Sequence, residues 1–281
     1  MESIQRRSVF ISDVHLGLPD CKAEYLLDFL RRLHCQHLYL VGDIIDLEAL
    51  QRRPWWHATH GAVLAELLAL PARGIQVTYI PGNHDAPLRA LAGQQIGGIA
   101  VALSAEHVAA DGRRYRVSHG DEYDPAQIGR AWQRFGDFMQ NLVCALNRYF
   151  NHARRWLRLP YLPLSLVLKS HAPQALAYIR GFETRVAQGT ARAGYDGAIC
   201  GHIHYGHVQR IGGVLYLNDG DWVEHCTALT EDAHGRFELL HWSEQPALLG
   251  SAAGGAVTAS PERLSALRTL AASAALLNPG S

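Results

Sequence analysis

The 281 residues are 48% hydrophobic and 19% charged, with a mean hydropathy of −0.07, which excludes a disordered chain, a collagen and a long coiled coil. Basic and acidic residues number 26 each, so the formal charge is zero and the chain as a whole is no polycation built to hold nucleic acid. Five scattered cysteines without a CxxC pair argue against a disulfide framework or a zinc ribbon and for a reducing compartment. In chain order, SVFIS predicts a strand, Glu24 to Leu33 a helix, LYLV a strand, Trp56 to Leu70 a helix and QVTYI a strand. A Gly, Ala and Val patch follows from Gly97 to Ala110, and then RYRVS predicts another strand. Residues 125–195 carry ten basic residues against two acidic ones, with apolar positions at helical spacing from Trp132 to Leu146 and from Leu164 to Val186, interrupted by Pro160 and Pro163. Strands return in GAIC, VLYLN and FELLHW, and the chain after Glu244 reads as a loosely attached tail with one helix near Pro261 to Leu277. The organisation expected is an α/β core of residues 1–124 and 196–243, a basic helical insertion at 125–195 and a tail at 244–281. The N-terminal Arg6 and Arg7 lead directly into a strand, without the apolar stretch of a signal peptide. A cytoplasmic protein is therefore expected, its basic insertion facing an anionic ligand or the inner surface of the inner membrane.

Polar, metal-capable residues stand just past the ends of the strand-like runs, where open α/β sheets bind ligands. VFISDVH delivers Asp13 and His15, which alternate spacing puts on one side of an extended strand; LYLVGD delivers Asp43, with Gly42 allowing a close turn. VTYIPGNHD delivers Asn83, His84 and Asp85, YRVSHGD delivers His119, and GAICGHIH delivers His202 and His204. Any one such residue is more often a turn former or a satisfied polar group. Together, three carboxylate or amide ligands and four imidazoles suit two divalent cations, one aspartate bridging them. With no thiolate in the set, Mn, Fe, Zn and Mg all match the donors. Asp85 reads equally well as a helix N-cap, His207 and His225 as surface histidines, and Trp55, Trp56, Trp132 and Trp156 as core or lid packing. Asn218 to Trp222, NDGDW, reads as a turn beside the site.

In this order, DVH, GDIID, GNHD, HGD and GHIH resemble the five-block signature of the calcineurin-like metallophosphoesterase superfamily, spanning Asp13 to His204. The resemblance implies a four-layer α/β sandwich, two mixed sheets flanked by helices, with the helical insertion as a lid. It also implies one metal held by Asp13, His15, Asp43 and His204 and a second held by Asp43, Asn83, His119 and His202, with Mn as the habitual ion. His84 would act on the transition state or leaving oxygen, oriented by Asp46.

Within that superfamily, HGDEYD, NDGDW, a short strand after GHIH and the helical insertion are similar to the bacterial UDP-2,3-diacylglucosamine pyrophosphatase branch. That similarity implies release of UMP from a lipid-linked sugar nucleotide in lipid A synthesis. Arg154, Arg155 and Lys169 of the insertion are the candidate substrate contacts. One residue departs from the branch: His84 stands where those enzymes usually carry arginine. Alternatives are a phosphodiesterase or phosphatase on another nucleotide, phospholipid or small phosphoester, and a non-enzymatic module binding anionic lipid. Nucleic acid is not an expected partner, and the oligomeric state is not legible.

Overall fold

The computed structural model describes residues 3–124, 149–150, 154, 156–157, 173–243, 246–254 and 256–258. The first half contains β1 (Ile4–Gln5), β2 (Ser8–Ile11), α1 (Ala23–Arg32), β3 (Leu33–His34), β4 (His37–Leu40), α2 (Leu47–Arg52), α3 (Ala58–Ala69), β5 (Gln76–Tyr79), β6 (Gln95–Ile96), β7 (Ile99–Val101), β8 (Ala105–Val108) and β9 (Arg114–Val117). The second half contains α4 (Pro173–Arg192), β10 (Gly197–Cys200), β11 (His207–Ile211), β12 (Val214–Asn218), β13 (Thr227–Glu231), β14 (Phe237–His241), β15 (Ala247–Ala253) and β16 (Ala256–Thr258).

Nine strands form a mixed sheet in the order β16-β15-β14-β13-β2-β4-β5-β7-β6, and five form a second in the order β11-β12-β10-β9-β8. The centres of both sheets are parallel, β2 with β4 and β5, and β9 with β10 and β12. Strands β2, β10 and β12 are buried on both faces and β4 nearly so, which is why they read as near-continuous apolar runs, whereas β5 and β9 alternate.

Side-chain alternation then assigns each residue to a layer. Val9, Ile11, Leu38 and Leu40 pack outward against Leu26, Phe29 and Leu30 of α1 and Val63 and Leu67 of α3. Phe10, Tyr39 and Val41 face the other way, meeting Tyr115, Val117, Ile199, Leu215 and Leu217 between the sheets. Ala198, Cys200 and Tyr216 project from the far side of the second sheet onto Phe182 and Val186 of α4. The result is four layers: helices, sheet, sheet, helix.

Two expected boundaries change. Helix α4 was assigned to the insertion at 125–195, yet Phe182 and Val186 are fully buried on the second sheet, so its apolar stripe makes it a structural layer of the sandwich. The tail expected from residue 244 begins with β15, which pairs antiparallel with β14, and β16 follows it; exposed backbone at the edge of β14 is satisfied by that pairing. The helix expected near Pro261 to Leu277 and the apolar stretch from Trp132 to Leu146 lie outside the described residues. The Gly, Ala and Val patch resolves into β7 and β8. The short strand expected after GHIH is β11, whereas β13 and the short helix α2 were not expected. Among the described residues, no helix is long and apolar enough to cross a membrane.

At the end of the sheets opposite the ligand-bearing loops, His37 stacks on Tyr39 with ring centroids 3.9 Å apart and hydrogen-bonds Thr78 Oγ1 through Nε2 at 2.9 Å. Burial first, then the positive neighbours His107 and Arg7, pushes its pKa down from 6.5 to about 4. The unfolded chain therefore takes up this proton near pH 6.5, while the folded chain resists it until about pH 4. Stability from this group is complete above the upper value and is lost as pH falls toward the lower one. His37→Gln is expected to flatten the acid side of the stability curve between about pH 7 and about pH 5, measured by urea unfolding. Parallel curves for the two proteins would reject this account.

Candidate metal centre

The loops leaving β2, β4, β5, β9 and β10 converge at one end of the two sheets. The first two pair beyond their strands: Asp13 N donates to Gly42 O, and Val14 N and His15 N both donate to Asp43 O. This pairing replaces the extended path expected for Asp13 and His15. Strand β2 stops at Ile11, and both residues lie in the left-handed region, at φ 51° and 52°. Asp43, His202 and His204 do the same, at φ 53°, 72° and 48°. L-residues enter that region at a cost of about 1–3 kcal/mol each, and such strain collects where a site over-determines the backbone. Gly42, at φ 88°, is needed for both reasons expected of it: the turn is left-handed, and a Cβ there would overlap the His119 ring.

Six of the seven expected ligands present their donor atoms to one another. His204 Nε2 is 3.2 Å from Asp13 Oδ1 and 3.3 Å from His15 Nε2, which is itself 3.9 Å from Asp13 Oδ1 and from Asp43 Oδ2. On the other side of Asp43, His119 Nε2 lies 3.3 Å from Asp43 Oδ2 and 3.2 Å from Asn83 Oδ1. Asp43 thus belongs to both groups. The seventh, His202, donates its backbone N–H to Asp13 Oδ2 at 2.8 Å, and its ring stands 5.1 Å from that of His119. Its Nε2 is engaged by Asp124 Oδ2 at 2.8 Å, so a ligand role falls to Nδ1.

Hydrogen bonding behind the rings sets their tautomers. His119 Nδ1 donates to Val41 O at 2.8 Å, and His15 Nδ1 donates to Asp46 Oδ2 at 2.9 Å. In the neutral imidazoles both Nε2 atoms then carry lone pairs aimed at carboxylate and amide oxygens. With the imidazoles neutral these buried acceptors repel one another, and a divalent cation between them reverses the sign, as a proton on His119 does in its absence. Asp13 Oδ1 is buried without a hydrogen bond of good geometry, and every donor is oxygen or imidazole nitrogen, so the residues fit a pair of hard or borderline cations. The protein's own field already favours ionised carboxylates. Burial raises Asp13 and Asp43, but His204 acting on the first and His119 on the second outweigh it, and both end below the usual carboxylate range. Burial lowers His119, but the Asp43 carboxylate, joined by Asp13 and the Val41 carbonyl, raises it above the usual imidazole range.

Asp46 ties the site to its rim. Its Oδ1 caps α2 by accepting from Ala49 N at 2.7 Å, while Oδ2 holds His15 Nδ1 and lies 3.2 Å from His84 Nδ1. His84 N donates to Asp43 Oδ1 at 2.8 Å, and its half-buried ring meets that of His15 edge-on at 4.8 Å. Asp85 does not cap a helix with its side chain: its buried carboxylate accepts from Ile44 N at 2.8 Å, Gly82 N at 2.5 Å and the Tyr79 hydroxyl, pinning the GNHD loop to the GDIID loop.

Several residues escaped the sequence reading. Ser12 Oγ lies between Asp13 Oδ2, at 2.5 Å, and Asp219 Oδ1, at 2.6 Å, all three fully buried. NDGDW is therefore a buried support beneath Asp13 rather than a turn beside it. His225 is buried against Asp221, and His207 Nδ1 bonds the buried Glu183 at 2.6 Å, so neither is a free surface histidine. Trp56 and Trp156 are exposed rather than core, and Trp132 lies outside the described residues. Of the candidate substrate contacts, Arg154 is buried with its guanidinium 5.6 Å from the Phe150 ring; Arg155 and Lys169 lie outside the described residues. Asp124 was legible only as part of HGDEYD, yet it holds His202 Nε2 with one oxygen and the Tyr178 hydroxyl, at 2.9 Å, with the other. A carboxylate behind a ligating histidine orients the ring and raises its basicity. Asp124→Ala is expected to weaken divalent-ion binding about 10- to 100-fold in a calorimetric titration; an unchanged affinity would remove His202 from the ligand set.

Residues 6–206 match the family model described as calcineurin-like phosphoesterase. The chain is 29% identical over 170 residues to a UDP-2,3-diacylglucosamine hydrolase of Aeromonas salmonicida (strain A449), a match covering 57% of each protein, so the chain spans little more than half the length of that relative. Among solved structures it is similar to Yfce, a phosphoesterase from E. coli, at 14% identity, with a TM-score of 0.47 and coverage of 88% of this chain and 98% of that one. It is also similar to Vps29 complexed with Zn from Entamoeba histolytica, at 12% identity, a TM-score of 0.39 and coverage of 86% and 96%.

Proposed function

The chain belongs to the calcineurin-like phosphoesterase family, and from that premise we propose that it is a two-metal hydrolase of a phosphoanhydride or phosphodiester. The observation that carries this reading is the convergence of buried acceptor atoms on both sides of Asp43. In it, Asp13, His15, Asp43 and His204 hold one divalent ion and Asp43, Asn83, His119 and His202 the other, with Mn as the working ion. Such a pair supplies Lewis acidity and a nucleophile from water for in-line attack. The chain's own residues do the rest. Asp46 fixes His15 and His84 together, and His84, at the rim, offers an imidazole edge to a phosphoryl or leaving oxygen. The insertion, with its basic residues, would cover the site and meet an anionic surface on the cytoplasmic side of the inner membrane.

For the substrate we propose UDP-2,3-diacylglucosamine, hydrolysed to UMP and 2,3-diacylglucosamine 1-phosphate. The Aeromonas relative's name supports it. His84, in place of that branch's arginine, favours a second reading, a smaller nucleotide or phosphodiester, because the residue beside the metals contacts the scissile group. Manganese-loaded protein would be offered UDP-2,3-diacylglucosamine and a generic aryl phosphodiester, with Asn83→Ala and His119→Ala as controls. UMP release lost in both variants establishes the lipid reading. Cleavage of the aryl ester alone retains the two-metal hydrolase and rejects that substrate. Turnover undiminished in both variants overturns the site.

A further inference from the structure

WWHATH, residues 55–60, has no part in the metal centre, and of its aromatic residues only His60 is buried. Trp55 is half-buried and Trp56 is 43% exposed. Together with Tyr25, Lys22, Glu24, His57 and His60, Trp55 lines a cavity of about 300 Å³ between the start of α1 and the loop from α2 to α3. This volume is at the lower end for small-molecule pockets.

The cavity is built onto the same loops as the site. His60 Nδ1 accepts from Gly17 N at 3.0 Å, two residues beyond His15. Helix α2, capped by Asp46, ends at Arg52, shortly before Trp55. His60 is wedged edge-on against both tryptophans, with centroids 5.1 Å from Trp55 and 5.5 Å from Trp56. The Trp55 and His57 rings lie within 17° of parallel at 6.2 Å. The tryptophan is thus held in a set orientation while remaining half-exposed.

The lining selects a ligand class. Lys22 and Glu24 bring one positive and one negative group, which does not make a second phosphate site. Burial, then the neighbouring His57, lowers the His60 pKa, so this wall adds no charge. An acyl chain would strip water from Lys22, Glu24 and His57 without replacing its hydrogen bonds. A flat π-face ringed by both donors and acceptors is the complement of a nucleobase, whose faces stack on aromatic rings in a sequence-tolerant way.

Resting on the phosphohydrolase reading above, we propose that the cavity walled by Trp55, His57 and His60 is a nucleobase subsite. It would receive the base of a nucleotidyl substrate whose phosphate lies at the metal centre. Two arms test it on the full chain. In the first, the p-nitrophenyl ester of thymidine 5′-monophosphate competes with bis(p-nitrophenyl) phosphate, and the ratio of their kcat/KM values is measured. Trp55→Ala is expected to lower that ratio about tenfold through KM, as loss of one base–aromatic stack does, and Trp55→Phe to restore most of it. A ratio unchanged in Trp55→Ala overturns the subsite. The second arm needs no turnover: calorimetry of metal-free protein with UMP and with ribose 5-phosphate. UMP is expected to bind at least about tenfold more tightly, with the difference gone in Trp55→Ala of unchanged melting temperature. Equal affinities in the wild type overturn the subsite even if both esters are cleaved. Base-dependent binding without cleavage of either ester keeps it and rejects the hydrolase instead.

Discussion

Asp43→Asn is expected to halve the bound metal and lower phosphodiester turnover about a thousandfold, equivalent to about 4 kcal/mol of barrier. The reason is geometric. Asp43 Oδ2 faces His15 Nε2 at 3.9 Å and His119 Nε2 at 3.3 Å, while Oδ1 accepts from His84 N at 2.8 Å. An asparagine has one acceptor oxygen for these demands and no charge to share between two cations. Folding should survive because the side chain is isosteric, but the variant gives up the attraction between the Asp43 carboxylate and His119, His15 and His84, which outweighs its repulsion with Asp13. The metal-free variant is accordingly expected to melt below the metal-free parent near neutral pH while remaining folded. Metal content per chain, measured beside kcat, decides the matter: two ions and undiminished turnover would show that Asp43 bridges nothing.

Gly201→Ala should strike directly at the support of Asp13. A Cβ at this position would lie 2.6 Å from Ser12 Cβ and closer still to Ser12 Oγ and Asp13 Oδ2. None of these can retreat: Ser12 is held between Asp13 and Asp219, and all three are fully buried. Overpacking of this kind costs about 1–3 kcal/mol, and here the displaced atoms belong to the support of a proposed ligand. Both stability and divalent-ion affinity are expected to fall, the second more than tenfold. Thermal melting and a metal titration on the same preparation separate the two effects. A variant with normal melting and normal affinity would mean that Ser12 and Asp219 do not position Asp13.

Much of this was legible in the chain. Runs such as SVFI, HLYL, GAIC and VLYLN read as strands buried on both faces, since each holds three or four consecutive apolar residues in a span too short for a helix. The residues after them supply the donor types, and donor type alone restricts the chemistry to hard and borderline cations. Local sequence could not say how those donors meet. Asp13 and His15 converge through left-handed backbone that only the pairing with Asp43 makes tolerable. His202 gains its orienting carboxylate from Asp124, 78 residues away, and Ser12 finds Asp219 across 207. The burial of His225 and the docking of β15 on β14 depend likewise on partners remote in sequence. Composition and periodicity determined which groups stand at the strand ends, because they reflect what a residue's neighbours in sequence allow. The tertiary structure alone decided which groups face each other without water, because desolvation and hydrogen-bond pairing depend on distance in space.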